Sequence, residues 1–234
     1  MGFDGFPKDT LTFLAELAEP ENNNKEWFAA NRKRYEGVYV GPSKAFVTAL
    51  GERILRFAPE INAIPKVQKG SMMRVNRDTR FSKDKRPYKD HLDLWFWQGS
   101  GKSMTCPGLG FRLRPDSVGT GGGTHGMDKD LLAAYRAAVV DDEQGGALED
   151  LVGQINATDG YEVVGQEYKR VPRGFDPDHP RAGFLRHKYL WVNNETAIPS
   201  SFHTAAIVDE IAARFEVSYP LVKWLVAVTE PLKE

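Results

Sequence analysis

The chain has a single cysteine, Cys106, among its 234 residues, so no intramolecular disulfide can form and a reducing compartment is expected. Followed by Pro107 and Gly108, this cysteine reads as a packed or turn residue rather than a nucleophile. No window approaches the roughly 20 apolar residues needed to span a bilayer, so no membrane partner is expected. The first ten residues, M-G-F-D-G-F-P-K-D-T, lack the basic start and apolar stretch of a secretory signal. Phe6 stands where a myristoylation signal needs Ser or Thr. A cytoplasmic protein is the resulting expectation. C-x-x-C, H-E-x-x-H and calcium-loop patterns are missing, so no metal site is expected; the sequence leaves any cofactor unknown. Ser71, Ser82 and Ser103 lack the G-x-S-x-G setting of an activated serine. Repeats, low-complexity stretches and linkers are also missing, which points to one domain over residues 1–234.

Net charge is nearly absent, at -1, although 27% of the residues are charged. Its distribution is uneven. Residues 69–91 hold eight Lys or Arg against Asp78, Asp84 and Asp90, a net of +5. Residues 169–188 hold six against Asp176 and Asp178, a net of +4, so the rest of the chain carries -10. Such segments repel themselves unless an anion or a protein carboxylate sits among them. Arginine forks suit phosphate and carboxylate because two parallel N–H bonds form at once.

The hydrophobic pattern has a helical period at both ends and a strand period in the middle. Asp9 or Thr10 is expected to cap a first helix with Leu11, Phe13, Leu14 and Leu17 as its apolar positions. Asn23, with Glu26 three residues on, has the capping-box spacing for a second. A third is expected from Pro42, stopping at Pro59. Residues 71–75, 91–97 and 110–114 alternate, with Leu92, Leu94 and Phe96 on one face of the middle strand and His91, Asp93, Trp95 and Trp97 on the other. The glycines at 119–126 lack a G-K-[ST] ending and read as a tight strand-to-helix passage, with His125 only a weak pocket candidate. Helices are expected from Asp128 and over 147–155, an irregular stretch over 161–186, a short strand over 188–192, and two helices over 204–215 and 220–228. D-P-D-H-P at 176–180 has a turn composition. Together these predict an α+β fold with a mainly antiparallel sheet, helices packed on one of its faces, and helices at both ends.

The function best fitting this pattern is binding of a phosphate- or carboxylate-bearing small ligand. Arg74, Arg77, Arg80, Lys83, Lys85, Arg86 and Lys89 would form most of the anion site, and Arg112 and Arg173 could add to it. If the three strands are neighbours, Arg74, Asp93 and Arg112 could lie across one sheet face. His91 and Asp93, two apart on that face, are the weak candidates for an acid or base, though no feature selects a reaction. One alternative is nucleic-acid binding through the two basic segments, with Phe81, Tyr88 and Phe175 as stacking residues. Another is a non-catalytic interaction protein whose basic residues form structural ion pairs.

Several stretches occur together here: F-x-G-F near the start, N-N-x-K-E-W-F-x-x-N-R-x-x-Y at 22–35, and R-D-T-R-F-S-K-D-K-x-P-Y-K at 77–89. To these add K-R-x-P-R-G-F-D-x-D-H-P at 169–180 and L-x-x-K-x-L at 185–190. The set resembles a family of mainly bacterial and fungal proteins catalogued as domain of unknown function 2461. The resemblance covers nearly the whole chain and implies a single α+β domain; it implies no particular activity.

Overall fold

A computed structural model describes residues 2–100 and 103–229. The fold is α+β, built on a six-stranded antiparallel sheet with helices at both ends of the chain. By contacts the described residues divide into two compact units. Unit 1 comprises 2–96, 110–120 and 195–213, and unit 2 comprises 97–100, 103–109, 121–194 and 214–229.

Unit 1 begins with α1 (Lys8–Ala18), which buries Phe13, Leu14 and Leu17 as the helical spacing requires. Neither expected cap serves as one: Asp9 pairs with Arg34, and the Thr10 hydroxyl donates to the Val38 carbonyl at 2.7 Å. Pro7 precedes the helix instead. In α2 (Lys25–Ala30) the cap is Asn24, whose side chain accepts from the Trp27 amide at 2.8 Å. The cap anticipated at Asn23 is therefore one residue further on, with Trp27 rather than an acid three positions after it, so no capping box forms; Asn23 is engaged elsewhere. The short α3 (Arg32–Tyr35) passes through a wide π turn into α4 (Gly41–Ile54), with Pro42 in its first turn. This helix ends at Ile54, ahead of Pro59. Phe3, Phe6, Phe46, Phe111 and Phe202 form an aromatic cluster with ring centroids about 5 Å apart, stitching the three chain segments of the unit together.

The sheet runs in the order β1-β2-β3-β4-β6-β5. Its members are β1 (Ile61–Asn62), β2 (Leu92–Gln98), β3 (Gly108–Leu113), β4 (Ser117–Thr124), β5 (Glu162–Gln166) and β6 (His187–Ala197). The alternation at 71–75 does not produce a full strand. It leaves two isolated antiparallel bridges, Met72 to Leu94 and Asn76 to Tyr88. On β2 every residue from Leu94 to Gln98 is buried, so the face bearing Trp95 and Trp97 is covered.

The glycines at 119–126 do not form a passage into a helix, since β4 runs through most of them. A Cβ on Gly121 would stand 1.9 Å from the Val192 carbonyl oxygen. Gly123, at φ +140°, would meet the Leu190 oxygen at 2.0 Å. These glycines admit the β6 backbone and the Trp191 ring at a distance no side chain allows. Asp128 caps α5 (Lys129–Val140) and Asp141 caps α6 (Asp142–Asn156), each accepting a backbone N–H from the first turn. The stretch expected to be irregular contains β5 and the one-turn α7 (Ala182–Leu185), and β6 runs on to Ala197, beyond the predicted end at 192. The two expected C-terminal helices are one, α8 (Ala206–Thr229), with Pro220 inside it. Proline removes one ladder bond, but Leu221, Val222, Leu225 and Val226 stay buried, and that packing keeps the helix going. Tyr135, Val139, Leu148, Leu190, Val192, Leu221 and Leu225 form the core of unit 2.

Candidate functional site: the braced basic loop

Residues 73–91 of unit 1 form a long loop that starts at the Met72–Leu94 bridge beside β2 and runs into the first residue of that strand, its two limbs bonded to each other. Met73 N–H donates to the Asp93 carbonyl (3.0 Å), Lys89 N–H to Val75 (2.8 Å) and Arg77 N–H to Pro87 (2.9 Å). Asn23 fastens this loop to the helices. Its side-chain oxygen accepts from the Tyr88 amide at 3.0 Å, while its NH2 donates to the carbonyls of Tyr88 (3.1 Å) and Leu17 (2.8 Å). Tyr88 is buried against Phe28, the rings stacked at 4.0 Å. Sequence reasoning missed Asn23 because its spacing to Glu26 matched a cap; the N-N-N run offered the signal, since only one of three asparagines can occupy the cap.

Arg77, Arg86 and Lys89 are turned inward upon carboxylates, while Arg80 meets one at the exposed surface. Arg77 donates to Asp84 (2.7 Å) and to the Arg86 carbonyl (3.2 Å). Arg86 pairs with the same Asp84 (2.9 Å) and reaches the Ala18 carbonyl (3.1 Å). Arg80 closes a two-point pair with Asp78, at 2.6 and 2.9 Å. Hydrogen bonds from the Arg86 side chain and backbone, with help from Arg77, hold the Asp84 carboxyl far below the usual carboxylate range. The Arg80 side chain does the same to Asp78, lowering its pKa to about 2.

Asp93 is the hub at the base of the loop, with its side chain only 15% exposed. One oxygen accepts from Arg112 Nε at 2.7 Å; the other lies 2.8 Å from Lys89 Nζ and 3.2 Å from His91 Nε2. Burial pushes its pKa up, but the His91 and Arg112 hydrogen bonds and the Lys89 charge outweigh this and hold the carboxyl well below its ordinary value. The other nitrogen of His91, Nδ1, faces Asp90 at 2.8 Å. Both carboxylate oxygens of Asp93 are thus engaged by protein cations, an arrangement that fixes charge rather than freeing a base.

Of the three residues expected across one sheet face, Asp93 and Arg112 meet. Arg74 stands apart, exposed and acting electrostatically on Asp78. Lys83 and Lys85 are exposed and meet no carboxylate among the described contacts; Lys85 Nζ donates to the Thr79 carbonyl at 2.9 Å. Arg173 is exposed in unit 2. At the tip, Phe81 is 95% exposed, with the Arg80 guanidinium 5.9 Å from its ring centre. Of the other residues considered for stacking, Tyr88 is buried and Phe175 packs against the unit 2 core. His125 stacks on Trp191 at 4.3 Å. In D-P-D-H-P the Asp178 amide donates to the Asp176 side chain at 2.9 Å, as a turn requires. Among the described residues no three His, Cys, Asp or Glu side chains converge in a way that would hold a metal ion, and no helix is long and apolar enough to cross a membrane.

Comparison with known families matches residues 9–224 to domain of unknown function 2461, described as a conserved hypothetical protein. The chain belongs to this family. No curated protein matches it. For this member of domain of unknown function 2461, the match spans both compact units and includes the braced loop and the second basic segment.

Proposed function

We propose that the protein binds a phosphate- or carboxylate-bearing ligand on the outer rim of the braced loop, through Arg74, Arg80, Lys83 and Lys85. The observation supporting this is the division of labour among the cations. Arg77, Arg86, Lys89 and Arg112 are spent on Asp84 and Asp93 as structural ion pairs, and they hold the backbone that displays Arg74, Lys83, Lys85 and, in its exposed pair with Asp78, Arg80 to solvent. Charges held in place by a rigid frame need less ordering when an anion arrives. Arg173, in the other unit, is not part of this proposed site. Cys106, the single cysteine, is a free thiol and supports a cytoplasmic setting. With inorganic pyrophosphate or citrate as the probe, the protein should melt at a higher temperature. The Arg80→Ala/Lys83→Ala/Lys85→Ala variant should lose that gain while melting like the parent without anion. An undiminished gain in the variant rules the rim out.

Phe81 favours a second reading, single-stranded nucleic acid. A fully exposed ring among cations is the pairing used to stack a base beside a phosphate, and stacking contributes about 1–3 kcal/mol per base. Anisotropy of a labelled oligo-dT should show binding that weakens steeply with salt and falls about tenfold in Phe81→Ala. No binding at low salt removes this reading.

A further inference from the structure

The basic stretch at 169–188 in unit 2 divides its cations between two states. Arg181 donates to the Val139 and Asp141 carbonyls (2.8 and 3.1 Å), and Lys188 pairs with Glu167 (3.1 Å). The Gln166 amide, oriented by its donors, turns its oxygen to the Arg186 guanidinium at 2.6 Å. Lys169, Arg170 and Arg173 are exposed and meet no carboxylate among the described contacts.

A fourth cation of this unit, Arg136 on α5, is partly buried, and its Nε is shut away from solvent with no hydrogen-bond partner. An acid three or four positions away could pair with it on the helix, but those positions hold Leu132, Ala133, Val139 and Val140. No acceptor among the described contacts meets its Nη1 and Nη2, which are not shut away as Nε is. The guanidinium is instead held against the Tyr168 ring, with Cζ 5.3 Å from the ring centre. A partly desolvated cation without a counter-charge is unfavourable, and an arriving anion relieves that cost.

Tyr168 is itself fixed, since its amide and that of Glu167 both donate to the Arg186 carbonyl, at 3.0 and 3.2 Å. Lys169 and Arg170 follow directly, so their Cα atoms lie about 4 Å and at most about 7 Å from that of Tyr168. Beyond them Val171 and Phe175 pack against the core of unit 2. The Phe175 amide donates to the Pro172 carbonyl at 3.3 Å, closing a turn in which Gly174, at φ +92°, supplies the left-handed residue. The chain is thus pinned on both sides of Lys169 and Arg170.

We propose that Arg136, Lys169 and Arg170 form a binding site for a phosphate monoester, whose terminal phosphate carries two negative charges. The Nη groups of Arg136 donate to two of its oxygens, and the two neighbouring side chains, long and free to swing, close on the third. Three cations without counter-charges favour a dianion over a monoanion of the same shape. A nucleic-acid strand fits less well. Its phosphates are diesters with one charge each, Arg136 covers one face of the Tyr168 ring, and Phe175 is packed against the core. The site shares no residue with the rim of the first loop.

Methyl phosphate is the probe, dianionic at pH 8 because its second pKa is about 6, and dimethyl phosphate is the monoanionic comparator. Titrations use the full chain carrying Arg80→Ala/Lys83→Ala/Lys85→Ala, which silences the rim, so that failure here and failure of the rim reading are separate results. Methyl phosphate should bind saturably, shift the Arg136 Nε–H and Tyr168 ring signals in NMR, and bind about tenfold more tightly than dimethyl phosphate. Arg136→Gln should weaken it about tenfold. Lys169→Ala/Arg170→Ala, at two exposed positions, should do the same, and it decides the matter if Arg136→Gln fails to fold. Lowering the pH through about 6 should weaken binding as the probe takes up its second proton. No saturable binding of methyl phosphate overturns the proposal. So does equal affinity for dimethyl phosphate, the result expected of a nucleic-acid backbone site, or binding that survives Lys169→Ala/Arg170→Ala.

Discussion

The two basic segments carry nearly equal charge, +5 over 69–91 and +4 over 169–188, yet the structure uses them differently. In the first, Asp78 meets Arg80 and Asp84 meets Arg86 and Arg77 inside the segment, and Asp93, two residues beyond its end, meets Lys89. The segment neutralises much of its own charge and becomes a frame. In the second, Asp176 is occupied by its own turn, and Arg181 turns mainly to backbone carbonyls at the junction of α5 and α6. Lys188 finds Glu167 from outside the segment, at 3.1 Å. Equal charge therefore does not imply equal function; the spacing of the intervening aspartates decides whether a basic run becomes scaffold or surface.

This contrast can be broken most strongly at Asp93. Asp93→Asn leaves Arg112 and Lys89 without their shared counter-charge in a mostly buried position, and should cost about 3 kcal/mol in urea unfolding at neutral pH. Because the folded-state pKa of Asp93 lies below its unfolded value of 3.8, its stabilisation is complete above that value. It is lost as pH falls through 3.8 toward the lower folded-state value, since the unfolded chain then binds the extra proton. The acid limb of the stability profile should accordingly be shallower in Asp93→Asn than in the parent. An equal slope would mean that Asp93 is not a principal acid-sensitive group.

In the second segment a smaller effect is expected from Arg181→Met, which keeps the apolar stem but removes two hydrogen bonds to helix-end carbonyls. About 2 kcal/mol should be lost, with little pH dependence between pH 3 and 7 because the main acceptors are carbonyls. A marked acid dependence of that loss would instead assign the effect to the Asp142 pair. The smallest effect belongs to Asp78→Asn at the loop tip. The Asp78–Arg80 pair is solvent-exposed, and exposed pairs contribute little, so the urea midpoint should not move measurably. A clear drop would show that the tip, too, is part of the frame.

Much of the fold was legible because burial imposes periods. Phe13, Leu14 and Leu17 mark α1, Leu92, Leu94 and Phe96 mark β2, and Asp128 marks the start of α5. The errors have physical causes. Gly121 and Gly123 resemble a turn in sequence, but their use is close approach of another strand, which depends on residues about 70 positions away. Pro220 signals a break, and packing on both sides of it overrides that signal. At the site, the cations of 74–89 were identifiable by composition, whereas their division into braced and displayed groups was not.

By itself the sequence determined the α+β class, the concentration of positive charge in two segments, and membership of the family through the R-D-T-R-F-S-K-D-K stretch. These follow from local composition and period, which need no knowledge of distant neighbours. Only the tertiary structure decided that Asn23 clasps Tyr88, that Asp93 binds Arg112 and Lys89 together, and that Phe81 is left in solvent while Tyr88 is buried. The Asn23–Tyr88 and Asp93–Arg112 contacts pair groups from separate parts of the chain. A hydrogen bond or a buried charge is decided by which partner arrives within about 3 Å, and that is a property of the folded chain.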